Sequence, residues 1–219
     1  MKRLSRVTSI AAVSAVALSS VALPASAQTF AIVKAFGNGS DVQSPRGTLA
    51  QGQDGILYGT TLKGGSTGDG GAFALTLGGD ENIVAGFASG ATGTTCNTGL
   101  NLGRDGNFYG TCSGETSPFE NGTVFSVAPH GSIKTLHTFN GTDGKIPEPG
   151  RPVQGLDGNF YGMTESGGAN GHGTAYMMTP AGQVTTLHDF GGAGGGDGSD
   201  PSGALTLASD GNFYGTTIN

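Results

Sequence analysis

Short runs of alternating apolar and polar residues, separated by Gly-rich turns, fill the chain from residue 29 onward, and none has the spacing of an amphipathic helix. Residues 148–190 show the pattern most plainly. Residues 151–154 form a short extended run, Asp157-Gly158-Asn159 has turn chemistry, and residues 160–164 (FYGMT) form a second β-prone run. Asp-Gly between two such runs is a strong hairpin signal, because Gly takes a positive φ at no steric cost. A Gly-rich loop at 166–172 leads to a third strand at 174–178. The turn Pro180-Ala181-Gly182 then leads to a fourth strand at 184–190. The pattern predicts a four-stranded antiparallel meander.

The same order recurs. The second unit has strands at 107–111, 123–127 and 133–139, with the turn Pro129-His130-Gly131. The first is looser, with Ile56-Leu57 in place of Asn-Phe, then strands at 72–77 and 83–87. The pattern Asp-Gly-x-x-Tyr-Gly marks every copy: Asp54, Gly55, Tyr58, Gly59; Asp105, Gly106, Tyr109, Gly110; Asp157, Gly158, Tyr161, Gly162; and Asp210, Gly211, Tyr214, Gly215. The periods are 51, 52 and 53 residues. In each copy Asp and Gly read as the hairpin turn and Tyr as part of the second strand. Aromatics recur at Phe73, Phe125 and Tyr176 on third strands, and at Phe36, Phe87, Phe139 and Phe190 on fourth strands. A lone meander cannot enclose these rings, so neighbouring units must stack.

Four strands in about 50 residues is the blade of a β-propeller. The expected fold is all-β, a propeller-like array of four-stranded antiparallel meanders. Residues 29–36 (TFAIVKAF) align with the fourth strands, and 203–217 supply a first and second strand. Pairing these two segments would assemble a split closing blade, giving four blades at most. The alternative is a piece of a longer propeller.

Composition supports this reading. Gly contributes 43 of the 219 residues, far above the usual ~7%, and charged residues are too few for an expanded chain. The first 27 residues read as a secretory signal peptide. Lys2, Arg3 and Arg6 precede an apolar stretch at 7–23, and Ala25-Ser26-Ala27 fits the cleavage rule; an uncleaved anchor helix is the alternative. The repeat domain is then 28–219, holding three whole repeats plus one split or truncated repeat, with no further membrane span expected. Removing the leader lowers the basic residues from ten to seven against sixteen acids, a net charge of −9. That balance disfavours nucleic acid, which needs clustered Lys and Arg.

The pattern G-x-D-G-N-F-Y-G-x-T, followed by a Gly-rich loop, G-T-x-F and L-x-x-F, resembles the GloVer tandem repeat of secreted bacterial proteins. It is carried by residues 154–164, 173–176 and 187–190, and again by 102–111, 122–125 and 136–139. The resemblance implies an extracellular or envelope repeat protein with no implied enzymatic activity. The C-terminal anchors of that family have no counterpart in this sequence.

Candidate chemistry is sparse. Cys96 and Cys112 flank the second hairpin turn and, in an exported protein, read as a disulfide, with two free thiols as the alternative. His137 and His188 share a repeat position held elsewhere by Lys34 and Ala85, which argues for a tolerant strand site over a ring of ligands. His130 and His172 lie in separate loops. The Asp-Gly turns and the acidic loop with Asp197 and Asp200 could offer oxygens to calcium, but their spacing fits no calcium loop. No cofactor, metal site or catalytic residue is expected, and Glu115, Glu148 and Glu165 cannot be paired into a glycosidase site from sequence. The functional expectation is a non-catalytic binding or structural module, secreted, periplasmic or at the cell surface, with a polysaccharide or extracellular protein as partner. A fragment of an extracellular carbohydrate-active enzyme is the alternative.

Overall fold

The computed structural model describes residues 30–36, 43–65, 67–88, 92–114, 120–148, 150–191 and 196–219. It divides into two units, Met1–Ala31 and Ile32–Asn219. In the first only Phe30 and Ala31 are described, both exposed and outside regular structure, and the expected signal peptide lies outside the described residues. In the second unit every helix-or-strand element among the described residues is a strand.

Three four-stranded antiparallel sheets follow one another in chain order. The first holds β1 (Gln43–Gln51), β2 (Leu57–Lys63), β3 (Gly71–Leu75) and β4 (Glu81–Gly86). The second holds β5 (Asn101–Leu102), β6 (Phe108–Cys112), β7 (Thr123–Val127) and β8 (Ile133–Thr138). The third holds β9 (Val153–Gln154), β10 (Phe160–Thr164), β11 (Thr174–Met178) and β12 (Val184–Asp189). A two-stranded sheet of β13 (Pro201–Leu207) and β14 (Phe213–Thr217) completes the set. The array is all-β and propeller-like, as the repeat pattern predicts. A bulge interrupts the pairing of third and fourth strands at the same place in each full sheet: Ala72/Phe73, Val124/Phe125 and Ala175/Tyr176.

Aromatic rings join one sheet to the next. Side chains alternate faces along a strand, so the Phe-Tyr pair of the signature points its two rings at opposite neighbours. Tyr58 stacks on Phe108 with centroids 4.2 Å apart, Tyr109 packs on Phe160 at 4.0 Å, and Tyr161 stacks on Phe213 at 4.3 Å. A second series joins the residue ending each fourth-strand segment to the next sheet's third strand. Phe87 meets Phe125 edge-on at 5.3 Å, and Phe139 meets Tyr176 at 5.3 Å. The third-strand ring in turn lies over a second-strand glycine. A Cβ on Gly59, Gly110 or Gly162 would come within 2.7, 2.6 and 2.4 Å of Phe73, Phe125 and Tyr176 respectively. Only glycine permits that approach.

The N-terminal segment departs from expectation. Residues 32–36 form no strand and pair with neither β13 nor β14. They nevertheless hold the place of a fourth strand against the first sheet. Phe36 packs on Phe73 at 5.0 Å, as Phe87 does on Phe125. A Cβ on Gly79 would stand 2.6 Å from the Val33 carbonyl oxygen, just as Gly131 and Gly182 approach Val84 and Leu136. A fourth strand needs a third strand for its ladder, and among the described residues none stands beside this segment.

A disulfide joins Cys96 and Cys112, both fully buried. It ties the loop before β5 to the end of β6. A loop of this length constrains the unfolded chain by roughly 3 kcal/mol. The double substitution Cys96→Ser and Cys112→Ser is expected to lower unfolding stability by about that amount, read as a fall in the denaturant midpoint at unchanged slope.

Phe125 is wholly buried between two sheets, so Phe125→Ala is expected to cost about 3–5 kcal/mol. Tyr176 occupies the equivalent place, and its hydroxyl is buried with no hydrogen-bond partner among the described residues. The two other units place Phe at this position. Tyr176→Phe is therefore expected to be neutral or to stabilise by up to about 1 kcal/mol, and a clear loss in thermal unfolding would contradict that account.

Candidate functional site

The four signature turns are built alike. Gly55, Gly106, Gly158 and Gly211 all adopt φ between 79 and 88°, the left-handed region that glycine enters freely. Each Asp serves the turn with both oxygens. Oδ1 of Asp54, Asp105, Asp157 and Asp210 accepts the backbone N–H two residues on, at 3.0, 3.1, 3.1 and 2.9 Å. Oδ2 accepts the hydroxyl of Tyr58, Tyr109, Tyr161 and Tyr214 at 2.7, 2.8, 2.8 and 2.8 Å. In the last three turns the Asn amide donates to Oδ2 as well. The Asp-to-Tyr bond was not read from the sequence, although its signal, a fixed Asp to Tyr spacing of four, was in view.

These bonds set the electrostatics. The Tyr58 hydroxyl and the Ile56 N–H hold the Asp54 carboxyl below its ordinary value. Burial alone would raise Asp105, but hydrogen bonds from Asn107 and Tyr109 outweigh it and the net shift is downward. The Tyr161 and Asn159 side chains lower Asp157, and the Asn212 N–H and Tyr214 lower Asp210. The phenols move the other way. Burial and the Asp54 carboxylate push Tyr58 up to about 12, and burial with Asp105 raises Tyr109 further.

Between the turns of the first two units lies a cleft of about 290 Å³, lined by Gln53, Asp54, Asp105, Asn107, Phe108 and His130 among others. It adjoins a second of about 220 Å³ that shares Asp54, Pro129 and His130 and adds Thr76, Asp80, Glu81 and Asn82. Together they form a groove rich in oxygen acceptors and amides. The residues that shape it are particular to this pair of units. Where Gln53 stands, the next unit has Arg104, whose guanidinium donates to the Leu156 carbonyl at 3.1 Å while its N–H donates to Gln154 at 2.9 Å. That bridge spans the corresponding gap between the second and third units. His130 is likewise replaced by Ala181 in the next unit's turn.

The remaining candidates are structural. His137 Nε2 lies 2.8 Å from Asp143, and His188 Nε2 lies 2.6 Å from Asp197, each ring also meeting a Phe edge-on. The shared His position is therefore a latch on the loop that leaves the fourth strand. The sequence carried a sign of it: both His units have Asp-Gly after that strand, at Asp143 and Asp197, whereas the Ala85 unit has none. Lys34, in the equivalent place, pairs with Glu81 at 3.0 Å. Asp197 also accepts the Gly191 N–H, and Asp200 accepts Ser199 and Asn219. His172 is exposed, and its backbone carbonyl accepts the Asp200 N–H. Among the described residues no cluster of three or more His, Cys, Asp or Glu gathers to hold a metal. Glu115 lies outside the described residues, and neither Glu148 nor Glu165 lines the groove.

The phenol shift has a testable sign. An unfolded tyrosine loses its proton near pH 10, but folded Tyr58 keeps it to about 12. The folded state therefore binds more protons in that window, and stability present below pH 10 is lost as pH rises through it. Phenolate absorbance is expected to rise in step with loss of the β-sheet signal, and full ionisation in a chain that remains folded would refute the linkage.

Comparison with known proteins gives a family and little else. No curated protein matches the chain. Among 39 matching solved chains is the X-ray structure of a protein provisionally assigned as a gluconolactonase. The match has 15% identity and a TM-score of 0.45, and covers 78% of this chain and 62% of that one. A likeness that distant says nothing about activity. The model of the Gloeobacter/Verrucomicrobia repeat matches residues 19–219, in agreement with the resemblance carried by the signature. The four equivalent turns, the ring contacts between sheets and this match agree, and the chain belongs to the Gloeobacter/Verrucomicrobia repeat family.

Proposed function

We propose that this protein is an exported, non-catalytic binding module whose groove between the first two units takes a neutral polysaccharide. The groove itself carries the proposal. Its carboxylates and side-chain carbonyls accept hydrogen bonds, its amides and the His130 imidazole can donate them, and Ile56 and Pro129 offer apolar surface. Sugar hydroxyls both donate and accept, and a neutral chain avoids the repulsion that an anionic ligand would meet from Asp54, Asp80 and Asp105.

The state of the carboxyls supports binding over hydrolysis. A glycosidase needs one carboxylic acid that keeps its proton near neutral pH. Asp54 and Asp105 are shifted the opposite way, and their oxygens are already engaged by the turn. Export rests on the leader-like first 27 residues and on the disulfide, which persists in oxidising compartments. No helix among the described residues is long and apolar enough to cross a membrane.

Retention on immobilised neutral polysaccharides tests the reading. The wild type is expected to be retained, and His130→Ala and Gln53→Ala, which leave the Asp-Tyr turns intact, are expected to weaken retention severalfold. No retention on any neutral glycan would overturn the binding role, and release of reducing ends would overturn its non-catalytic character.

A further inference from the structure

The first signature turn departs from the other three at one position, and the difference falls on its carboxylate. In the later turns Oδ2 of the Asp has two donors, the Tyr hydroxyl and the Asn amide: Tyr109 and Asn107 at Asp105, Tyr161 and Asn159 at Asp157, Tyr214 and Asn212 at Asp210, all at 2.7–3.0 Å. Ile56 stands where those turns have Asn, and its side chain donates nothing. Among the described residues the Tyr58 hydroxyl, at 2.7 Å, is the one donor to Asp54 Oδ2. A carboxylate oxygen accepts about two hydrogen bonds. The other three signature carboxylates are therefore filled at Oδ2 by their own turn, whereas Asp54 keeps an acceptor position there.

That carboxylate belongs to the groove. Asp54 is exposed and lines both of the adjoining clefts, while Asp105, which lines the larger one, has its Oδ2 taken up by Asn107 and Tyr109. The other departures from the repeat surround the same group. Gln53 precedes Asp54 where the next unit has Arg104, and His130, in place of Ala181, lines both clefts with it. The Tyr58 and Ile56 bonds hold the Asp54 carboxyl low, and the nearby His130 adds a smaller pull in the same direction. Asp54 therefore stays ionised and acts only as an acceptor, with donors on Gln53 and His130 beside it.

We infer that Asp54 Oδ2 is the specificity-determining acceptor of the groove, taking a hydrogen bond from a free sugar hydroxyl alongside the one it accepts from Tyr58. The inference rests on the polysaccharide reading above and adds to it the atom that selects the ligand. Hydrogen bonds to an ionised acceptor are about twice as strong as those between neutral groups, so this contact outweighs the amide and imidazole contacts around it. It is also selective. Water serves an exposed acceptor in the free protein, and a ligand group that cannot reproduce the donation of the displaced water loses affinity. A hydroxyl reproduces it, whereas an ether oxygen only accepts. The groove thereby distinguishes a free hydroxyl from an alkylated one, and Ile56 leaves room for that choice by donating nothing to Asp54.

Electrophoresis of the full protein through gels containing a soluble neutral polysaccharide tests this. The probes are a β-glucan, an α-glucan and a galactomannan, each also in an O-methylated form that keeps its oxygens and loses hydroxyl donors. Ile56→Asn makes the first turn like the other three and places an amide on Asp54 Oδ2. Ile56→Ala removes the same apolar surface without supplying a donor. The wild type is expected to be retarded by at least one unmodified probe and much less by its methylated form. Ile56→Asn is expected to bind that probe more weakly than Ile56→Ala by on the order of tenfold, about 1.4 kcal/mol, with thermal unfolding midpoints reporting that both variants fold. Equal retardation of the wild type by the methylated and unmodified probe would overturn the proposal and leave the polysaccharide reading standing. Equal binding by folded Ile56→Asn and Ile56→Ala would do the same. Absence of retardation by every probe would overturn the polysaccharide reading and this proposal with it.

Discussion

The fold depends on one contact made three times: the signature tyrosine of each unit lies against the signature phenylalanine of the next, at 4.0–4.3 Å. A lone four-stranded meander has two faces and no interior, so its stability must come from neighbours. The Phe-Tyr dipeptide meets that need economically, because adjacent residues on a strand point to opposite faces. One ring addresses the unit behind and the other the unit ahead. Asp-Gly makes the turn that brings the strand to the right place, and the carboxylate holds the phenol from its far end. The flanking glycine clears room for the third-strand aromatic. The hexapeptide is a coupler between units more than a turn within one.

This explains why so much of the fold was legible. Period-2 patterning and Asp-Gly turns act locally, so the strands 123–127, 160–164 and 174–178 coincide with β7, β10 and β11 to the residue. A pair of cysteines flanking one hairpin can be read for the same reason. What escaped notice were relations across units. The Tyr58–Phe108 stack spans 50 positions, and no local window contains it. The His-to-Asp latches lie only six and nine residues apart, but they cross a loop whose path strand patterning does not specify. The N-terminal segment shows the limit from the other side. Its sequence is that of a fourth strand and its ring packs as one, yet it forms no ladder, because a ladder requires a neighbour that sequence alignment cannot supply.

The coupling also consumes most of the chemistry that the chain carries. Four aspartates and four tyrosines satisfy one another, two histidines hold two more aspartates, and Arg104 bridges two units. Residues so engaged are poor candidates for proton transfer, since each hydrogen bond that fixes the fold also stabilises one protonation state. Gln53 and His130 differ from their counterparts Arg104 and Ala181, and the groove opens where they stand. In a repeat array, conformity to the consensus produces stability, and each departure from it leaves surface that a neighbour does not cover.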